Sequence, residues 1–180
     1  MKKIGVLVGS LRKAAWSKKL ANYLVGLLPE GYEAEFIEIG NLPHYNQEYD
    51  EGEAPESYVK YRGKMHEMDA FIIVTPEYNR SMPAVLKNAL DVGSRPYGKS
   101  AWDGKKAMIL SNSPGALGGF GANHHLRQAF TFLNVLVMAQ PEAYISRVSE
   151  LFDDNGELKS EGTGKFLQSL IDAFVAFVEE

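Results

Sequence analysis

The sequence predicts a single α/β domain over residues 1–180, built on a doubly wound, five-stranded parallel sheet. Two observations support this prediction. Five apolar runs of strand length are each followed by a segment in which apolar residues recur every three or four positions, as they do on one face of a helix. Three of those runs are continuously apolar rather than alternating, which is typical of parallel strands covered by helices on both faces.

The predicted strands and helices alternate along the chain. The strands are "IGVLV" (4–8), "AEFIEI" (34–39), "AFIIVT" (70–75), "AMILS" (107–111) and "NVLVM" (134–138). The helices are predicted over residues 17–28, 55–68, 83–92, 121–133 and 164–180. Pro55 and Pro83 suit a first helical turn, which has no use for the N–H that proline lacks. Right-handed crossovers between parallel strands then favour a flavodoxin-like strand order.

Two long segments, residues 41–54 and 147–162, are predicted to lack regular structure, with a turn at residues 155–156.

Composition excludes several classes of function. A net charge of −4 supplies no basic surface for nucleic acid, so an anion must be bound by a local cluster of cations. The absence of cysteine excludes disulfides and thiolate chemistry, and the four histidines lack the spacing of metal ligands. The apolar run near the N-terminus is too short for a signal peptide or a membrane span. We therefore expect a cytoplasmic protein without a metal, membrane or nucleic-acid partner.

The loop after the first strand, "GSLRKAAWS", predicts a phosphate site. Gly9, Ser10 and Arg12 precede a helix that opens near Ser17, and backbone N–H groups, a hydroxyl and a guanidinium at a helix N-terminus suit a phosphate. A plain helix cap beside two surface cations, Arg12 and Lys13, is the alternative.

The loop after the third strand, "TPEYNRSMP", predicts a binding surface for a flat ring. Two prolines stiffen a segment in which Glu77, Tyr78 and Asn79 offer an aromatic face, backbone amides and a side-chain amide. A turn in which Tyr78 packs locally is the alternative. Because ligands bind beyond the carboxyl ends of parallel strands, we expect this loop to meet the phosphate loop.

The loop after the fourth strand is rich in glycine, with Gly115, Gly118, Gly119 and Gly121 within seven residues. Glycine lets a backbone approach a ligand closely, and it also makes a plain flexible loop, so the residues alone leave both interpretations open.

A literal P-loop pattern, "GSRPYGKS" at residues 93–100, is interpreted as a chance match. That motif binds phosphate only between a preceding strand and a following helix. Here a predicted helix precedes it and the next element is a strand, so Lys99 has no phosphate cradle and nucleotide hydrolysis is not expected.

Taken together, "GSLRKAAWS", "TPEYNRSMPAVLKNALD" and "SPGALGGFGANHHLRQ" resemble the NADPH-dependent FMN reductase family, flavodoxin-like proteins that include bacterial quinone, chromate and azo-dye reductases. The resemblance implies an FMN cofactor, reduced by NADPH or NADH and reoxidised by a small acceptor such as a quinone, an azo compound or free flavin. It also implies a homodimer or homotetramer, in which Arg95 and Tyr97 are secondary candidates for the partner subunit's site.

The resemblance assigns the candidate residues by position. Ser10 and Arg12 would bind the FMN phosphate, with Ser17 where the family often has Asn. The ring would be contacted by Pro76, Glu77, Tyr78, Asn79, Ser113, Gly115 and Gly118. The flavin supplies the chemistry, so no catalytic acid or base is expected.

Three positions depart from the family pattern: Ala15 replaces a usual Ser, Gly121 stands where some members have Arg, and "DVGSR" replaces a common Trp-Leu. An electron-carrying flavodoxin without its own NAD(P)H oxidation is the alternative function. Flavodoxins usually have a hydroxyl-rich first loop and a strongly acidic docking face, whereas this chain has Arg12 in that loop and mild charge.

Overall fold

A computed structural model describes residues 1–153 and 156–180 of the chain. The strands are β1 (Lys2–Val8), β2 (Tyr32–Phe36), β3 (Ala70–Pro76), β4 (Lys106–Asn112), β5 (Leu136–Val137) and β6 (Ala143–Ile145). The helices are α1 (Trp16–Gly26), α2 (Glu48–Glu51), α3 (Glu56–Glu67), α4 (Ala84–Gly93), α5 (Phe120–Phe132) and α6 (Glu161–Glu179), with a short 3-10 helix at Val148–Glu150.

The strands form one parallel sheet in the order β2-β1-β3-β4-β5, and β6 also pairs with β4. This order is that of the flavodoxin-like doubly wound fold, so the predicted fold class is confirmed.

The continuously apolar strands lie at the centre of the sheet, because both of their faces are covered. Phe71 and Ile73 of β3 point into a core with α3, α4 and α5, whereas Ile72 and Val74 point into a core with α1 and α6. All four side chains are fully buried. Burying a side chain of this size contributes roughly 1.5–3 kcal/mol, so the two cores fix β3 in its register.

The fifth predicted strand, residues 134–138, is wrong in its extent. Only residues 136 and 137 of it form a strand, β5, and a separate strand, β6, follows at Ala143–Ile145. The two strands pair with different parts of β4. Pro141 lies between them, and since proline has no N–H to donate, the ladder cannot continue through it. β6 has three residues and was not predicted, because so short a run has no readable period.

The segment 41–54, predicted to lack regular structure, contains the short helix α2. Asp50 of α2 pairs with Arg62 of α3 at 3.0 Å and accepts a hydrogen bond from the Tyr45 hydroxyl at 2.7 Å. Burial and this hydrogen bond raise the pKa of Tyr45. These contacts fasten the loop after β2 to the helical layer. The predicted turn at residues 155–156 lies in part outside the described residues.

Within residues 1–153 and 156–180, no helix is both long enough and apolar enough to cross a membrane.

Candidate functional site

The carboxyl ends of β1, β3 and β4 open onto one cleft of about 210 Å³. The predicted site residues that line it are Ser10, Arg12, Ser17, Pro76, Glu77, Tyr78 and Ser113. The other lining residues are Ala15, Trp16, Asn112, Pro114 and Val148. The three loops singled out in the sequence therefore meet, as expected for the ligand site of a doubly wound sheet.

One end of the cleft is formed by the loop after β1 and the first turn of α1. Ala15 is the N-cap residue of α1, and no side chain caps the helix there. The helix dipole and its free N–H groups favour an anion at this position. Arg12 is exposed and forms no ion pair within the described part of the chain, so its charge is available to the same anion.

Ser17 and Asn112 join the first and last of these loops inside the protein. Both are almost fully buried, and Asn112 Nδ2 donates to Ser17 Oγ at 2.9 Å and to the Thr75 carbonyl oxygen at 3.1 Å. One amide therefore holds the ends of β3 and β4 against α1. The sequence analysis missed Asn112; its signal is a polar residue at the end of the apolar run of β4.

The loop after β3 ends in a tight turn at Tyr78–Ser81. The backbone N–H of each of these two residues donates to the carbonyl oxygen of the other at 2.9 Å. Asn79 and Arg80 both have positive φ, 51° and 67°, which defines a type I′ turn. Tyr78 lines the cleft and is half exposed, whereas Asn79 lies at the tip of the turn and does not line it.

Helix α5 holds this turn in place through its first residues. The Ala122 N–H donates to Glu77 Oε2 at 3.1 Å, and His125 Nδ1 lies 2.8 Å from Ser81 Oγ. The carboxylate of Glu77 is thus directed at the positive end of α5, where the helix dipole stabilises it. A Cβ at position 121 would lie 2.6 Å from the Arg80 carbonyl oxygen, so Gly121 is the residue that lets the helix approach.

The glycine-rich loop closes the far side of the cleft only at its start. Ser113 lines the cleft, and its Oγ donates to the Gly115 carbonyl oxygen at 3.2 Å. Gly118 has φ 58°, and a Cβ there would lie 2.6 Å from the Tyr144 carbonyl carbon. Gly118 therefore allows the loop to approach β6. Neither Gly115 nor Gly118 lines the cleft.

The P-loop-like residues 93–100 lie at the end of α4, and only turns separate them from β4. Lys99 is exposed, and the chain continues from it into turns and then β4 rather than into a helix, as its sequence context predicts.

The two adjacent histidines contact separate groups, since His125 lies against Ser81 and His124 Nε2 lies 3.0 Å from the Tyr144 hydroxyl. In the part of the chain that the structure describes, no three His, Cys, Asp or Glu side chains are grouped to hold a metal.

The cleft fits a phosphorylated, flat, heteroaromatic ligand such as FMN. Its α1 end offers a cation, hydroxyls and uncapped N–H groups, a donor set suited to a phosphate. Its other end is lined by residues 76–78 of the loop after β3 and by Ser113 and Pro114 of the loop after β4, and the prolines and the Tyr78 ring offer flat apolar surfaces to a ring system. Among the described residues that line this cleft, the acidic one is Glu77, which lies at the other end.

Comparison with known proteins gives consistent matches. The model of the family "NADPH-dependent FMN reductase" matches residues 2–150. A quinone reductase of Pseudomonas putida is 47% identical over 176 residues, which are 98% of this chain and 94% of that protein. A 2-hydroxy-1,4-benzoquinone reductase of a Burkholderia species is 45% identical over 178 residues, which are 99% of this chain and 97% of that protein. The solved structure of FerB, a flavoenzyme NAD(P)H:(acceptor) oxidoreductase from Paracoccus denitrificans, is also similar. It matches this chain with a TM-score of 0.93 at 40% identity, over 99% of this chain and 98% of that one.

These matches confirm the predicted family, the FMN cofactor with NAD(P)H as co-substrate, and an oxidoreductase rather than an electron-carrying flavodoxin. The roles of the individual site residues stay predictions, those of Asn79, Gly115 and Gly118 included. On the family match and the near full-length similarity together, the chain belongs to the NADPH-dependent FMN reductase family.

Proposed function

We propose that the chain is an FMN-dependent NAD(P)H:quinone oxidoreductase whose 180 residues form one reductase domain. The observation that carries the proposal is the uncapped N-terminus of α1 beside the unpaired Arg12, at one end of a slot walled by the loops after β3 and β4. Quinones are the proposed acceptor class because the relatives that match nearly the whole chain are named quinone reductases. Azo compounds and free flavin are further candidates for the same open cleft.

The phosphate end of the site is assigned to Ser10, Arg12 and Ser17 with the first turn of α1. Arg12 supplies the positive charge, and the backbone N–H groups behind Ala15 supply directed hydrogen bonds. Ser17 is held by Asn112, so its hydroxyl is positioned before any ligand arrives. This preorganisation lowers the entropic cost of binding the phosphate.

The ring end of the site is assigned to Pro76, Glu77, Tyr78 and Ser113. FMN held by these residues would supply the redox chemistry, namely hydride acceptance from NADPH or NADH and electron transfer to the acceptor. The backbone of residues 76–78 lies along the slot, and Tyr78 offers a half-exposed ring beside it. Glu77 would position this wall, because its Oε2 accepts the Ala122 N–H and its Oε1 lies 3.5 Å from Arg80 Nη1 in the turn.

We propose a ping-pong cycle, because the nicotinamide and the acceptor would both use the open side of the cleft, so the first has to leave before the second binds. The experiment is to purify the protein, record its flavin spectrum, and add NADPH without air and then a benzoquinone. We expect a yellow protein that bleaches with NADPH and recovers its colour with the quinone. A protein that binds FMN but is reduced by neither nucleotide would contradict the proposal.

We also propose a cytoplasmic homodimer or homotetramer. Tyr97 and Phe132 are 92% and 91% exposed, and both line a second cavity, of about 660 Å³, together with Arg95. Large exposed aromatic side chains grouped around one cavity are typical of an interaction surface. Sedimentation velocity at several concentrations tests the assembly, and a monomer at every concentration would contradict it.

A further inference from the structure

The wall of the flavin cleft contains a tryptophan that none of the assigned contacts uses. Trp16 is the first residue of α1, is partly buried and lines the cleft. Its indole N–H donates to no acceptor within residues 1–153 and 156–180. The other tryptophan, Trp102, is fully buried and donates its N–H to the Leu90 carbonyl oxygen at 3.2 Å. Trp102 is therefore a core residue, whereas the N–H of Trp16 is left for a ligand.

Two side chains hold the indole of Trp16 from one side. The ring of Phe152 stacks on it, with the ring centroids 6.2 Å apart and the planes 11° from parallel. Lys19 Nζ lies 4.6 Å from the indole centroid and 5.9 Å from the Phe152 centroid. The second distance is too short for the cation and the phenyl ring to lie on opposite sides of the indole. Stacking and the cation–π contact thus fix one side of the indole, and its exposed part belongs to the cleft.

The segment that carries Phe152 also holds the loop after β4. The N–H of Val148, a residue that lines the cleft, donates to the Ser113 carbonyl oxygen at 3.1 Å. The N–H of Arg147 donates to the Gly115 carbonyl oxygen, also at 3.1 Å. Phe152 follows in the same segment and is 4% exposed. This segment therefore ties the loop after β4 to α1, and the indole lies where the α1 end of the cleft meets its ring end.

We propose that Trp16 contacts the ribityl chain of bound FMN, and that Phe152 is a positioning residue that acts through Trp16. The proposal rests on the proposed function, because it needs the phosphate of FMN at the α1 end and the ring between the loops after β3 and β4. The ribityl chain joins those two parts of FMN, so it passes the indole. The indole face packs against the carbons of the chain, and the free N–H donates to one of its hydroxyls.

Three flavins that differ in this arm test the contact. FMN has the ribityl chain and the phosphate, riboflavin lacks the phosphate, and lumiflavin lacks both. Each is titrated into the flavin-free protein, and quenching of flavin fluorescence gives the affinity. We expect Trp16→Ala to lower the affinities for FMN and riboflavin by the same factor, about five- to twentyfold, and to leave that for lumiflavin within about twofold. A loss confined to FMN, an equal loss for lumiflavin, or no loss would overturn the proposal.

A milder substitution separates the contact from a folding defect. Trp16→Phe keeps a ring against Phe152 but removes the indole N–H, so the affinities for FMN and riboflavin should fall by about two- to fivefold. Circular dichroism establishes that each variant folds. Should Trp16→Ala not fold, Trp16→Phe decides alone, and affinities equal to those of the parent would refute the contact.

The positioning role of Phe152 is tested in two backgrounds. Phe152→Leu keeps an apolar side chain but loses the stacked ring, and it should lower the affinities for FMN and riboflavin by about three- to fivefold. In the Trp16→Ala background the same substitution should have no effect on affinity, because no indole remains to be held. Equal losses in both backgrounds would contradict a role through Trp16.

Phe174→Leu is the matched control for Phe152→Leu. Phe174 is fully buried in the same core, on α6, and is not among the described residues that line the cleft. Phe174→Leu should lower the free energy of unfolding and leave the affinities for all three flavins equal to those of the parent. A loss of flavin affinity in Phe174→Leu as large as that in Phe152→Leu would show that core packing in general, and not the stack on Trp16, sets the affinity.

Failure of the proposed function would give a different result. If the parent binds FMN but is reduced by neither nucleotide, the proposed function fails, and the titrations still decide whether Trp16 contacts the ribityl chain. If the parent is reduced and Trp16→Ala binds all three flavins like the parent, this inference alone fails. A parent that binds neither FMN nor riboflavin would overturn both.

Discussion

The substitution Gly121→Ala tests whether α5 fixes the ring side of the flavin cleft. The added methyl group would lie 2.6 Å from the Arg80 carbonyl oxygen and 3.0 Å from Glu77 Oε2, where ordinary contacts begin at 3.4 Å. The carbonyl oxygen belongs to the backbone of the type I′ turn, so it cannot move aside without moving the turn. Both contacts push on residues 77–81, so a displaced turn would carry Tyr78, which lines the cleft, with it.

Two opposing effects set the change in the free energy of unfolding. Alanine in place of glycine favours a helix by at most about 1 kcal/mol. The collision acts as overpacking, which costs about 1–3 kcal/mol. Gly63→Ala in α3 is the matched control, because a Cβ at Gly63 meets nothing within 4 Å and only the helix propensity changes. Gly63→Ala should stabilise the flavin-free protein by about 0.5–1 kcal/mol, and Gly121→Ala should be less stable than this control by about 1–3 kcal/mol.

Urea denaturation of the flavin-free proteins measures the stability difference, and quenching of FMN fluorescence measures the affinity. The displaced turn should lower the affinity for FMN by about three- to tenfold in Gly121→Ala, whereas the affinity of Gly63→Ala should equal that of the parent. If Gly121→Ala proves as stabilising as the control and binds FMN like the parent, α5 does not hold the turn as described.

Three further predictions concern the phosphate loop and the cycle. Arg12→Ala should weaken FMN by about ten- to a hundredfold, because one charge-assisted phosphate contact is lost, whereas Lys13→Ala, on the other side of the loop, should bind FMN like the parent in the same titration. Ala15→Ser adds a hydroxyl at the N-cap and should raise FMN affinity by about three- to thirtyfold with no gain for riboflavin; an equal gain for riboflavin would show that the phosphate lies elsewhere. Initial-rate plots at several quinone concentrations should be parallel, and intersecting lines would indicate a ternary complex.

Local patterns in the sequence predicted much of the fold. The central strands were recognised because burial on both faces leaves an unbroken apolar run, and the helices because one buried face imposes a period near 3.6. The short extent of β5 and the separate strand β6 were missed, since both are defined by hydrogen bonds to β4 and segments of two or three residues have no pattern of their own.

The candidate site was predicted less completely than the fold. Ser10, Arg12 and Tyr78 were found because each comes just after an apolar strand and carries a polar or charged group that a protein core rarely buries. Asn112 and His125 were missed, because their roles come from contacts with distant parts of the chain. Asn112 contacts Ser17, which is 95 positions away, and His125 contacts Ser81, which is 44 positions away. Such pairings depend on the tertiary structure, and no periodicity reveals them. The identity of the cofactor came from the family resemblance and not from the residues alone.

The cleft is assembled from segments that are far apart in the chain, from Ser10 near the N-terminus to Val148 beyond β6. A partly folded chain that lacks any one of them has no complete site, so FMN binds the native state and not its precursors. By mass action, free FMN at a hundred times its Kd then stabilises the native state by about 2.7 kcal/mol. A low supply of flavin in the cell therefore removes this part of the stability of the native state and raises the fraction of chains open to proteolysis, independently of how fast the enzyme turns over.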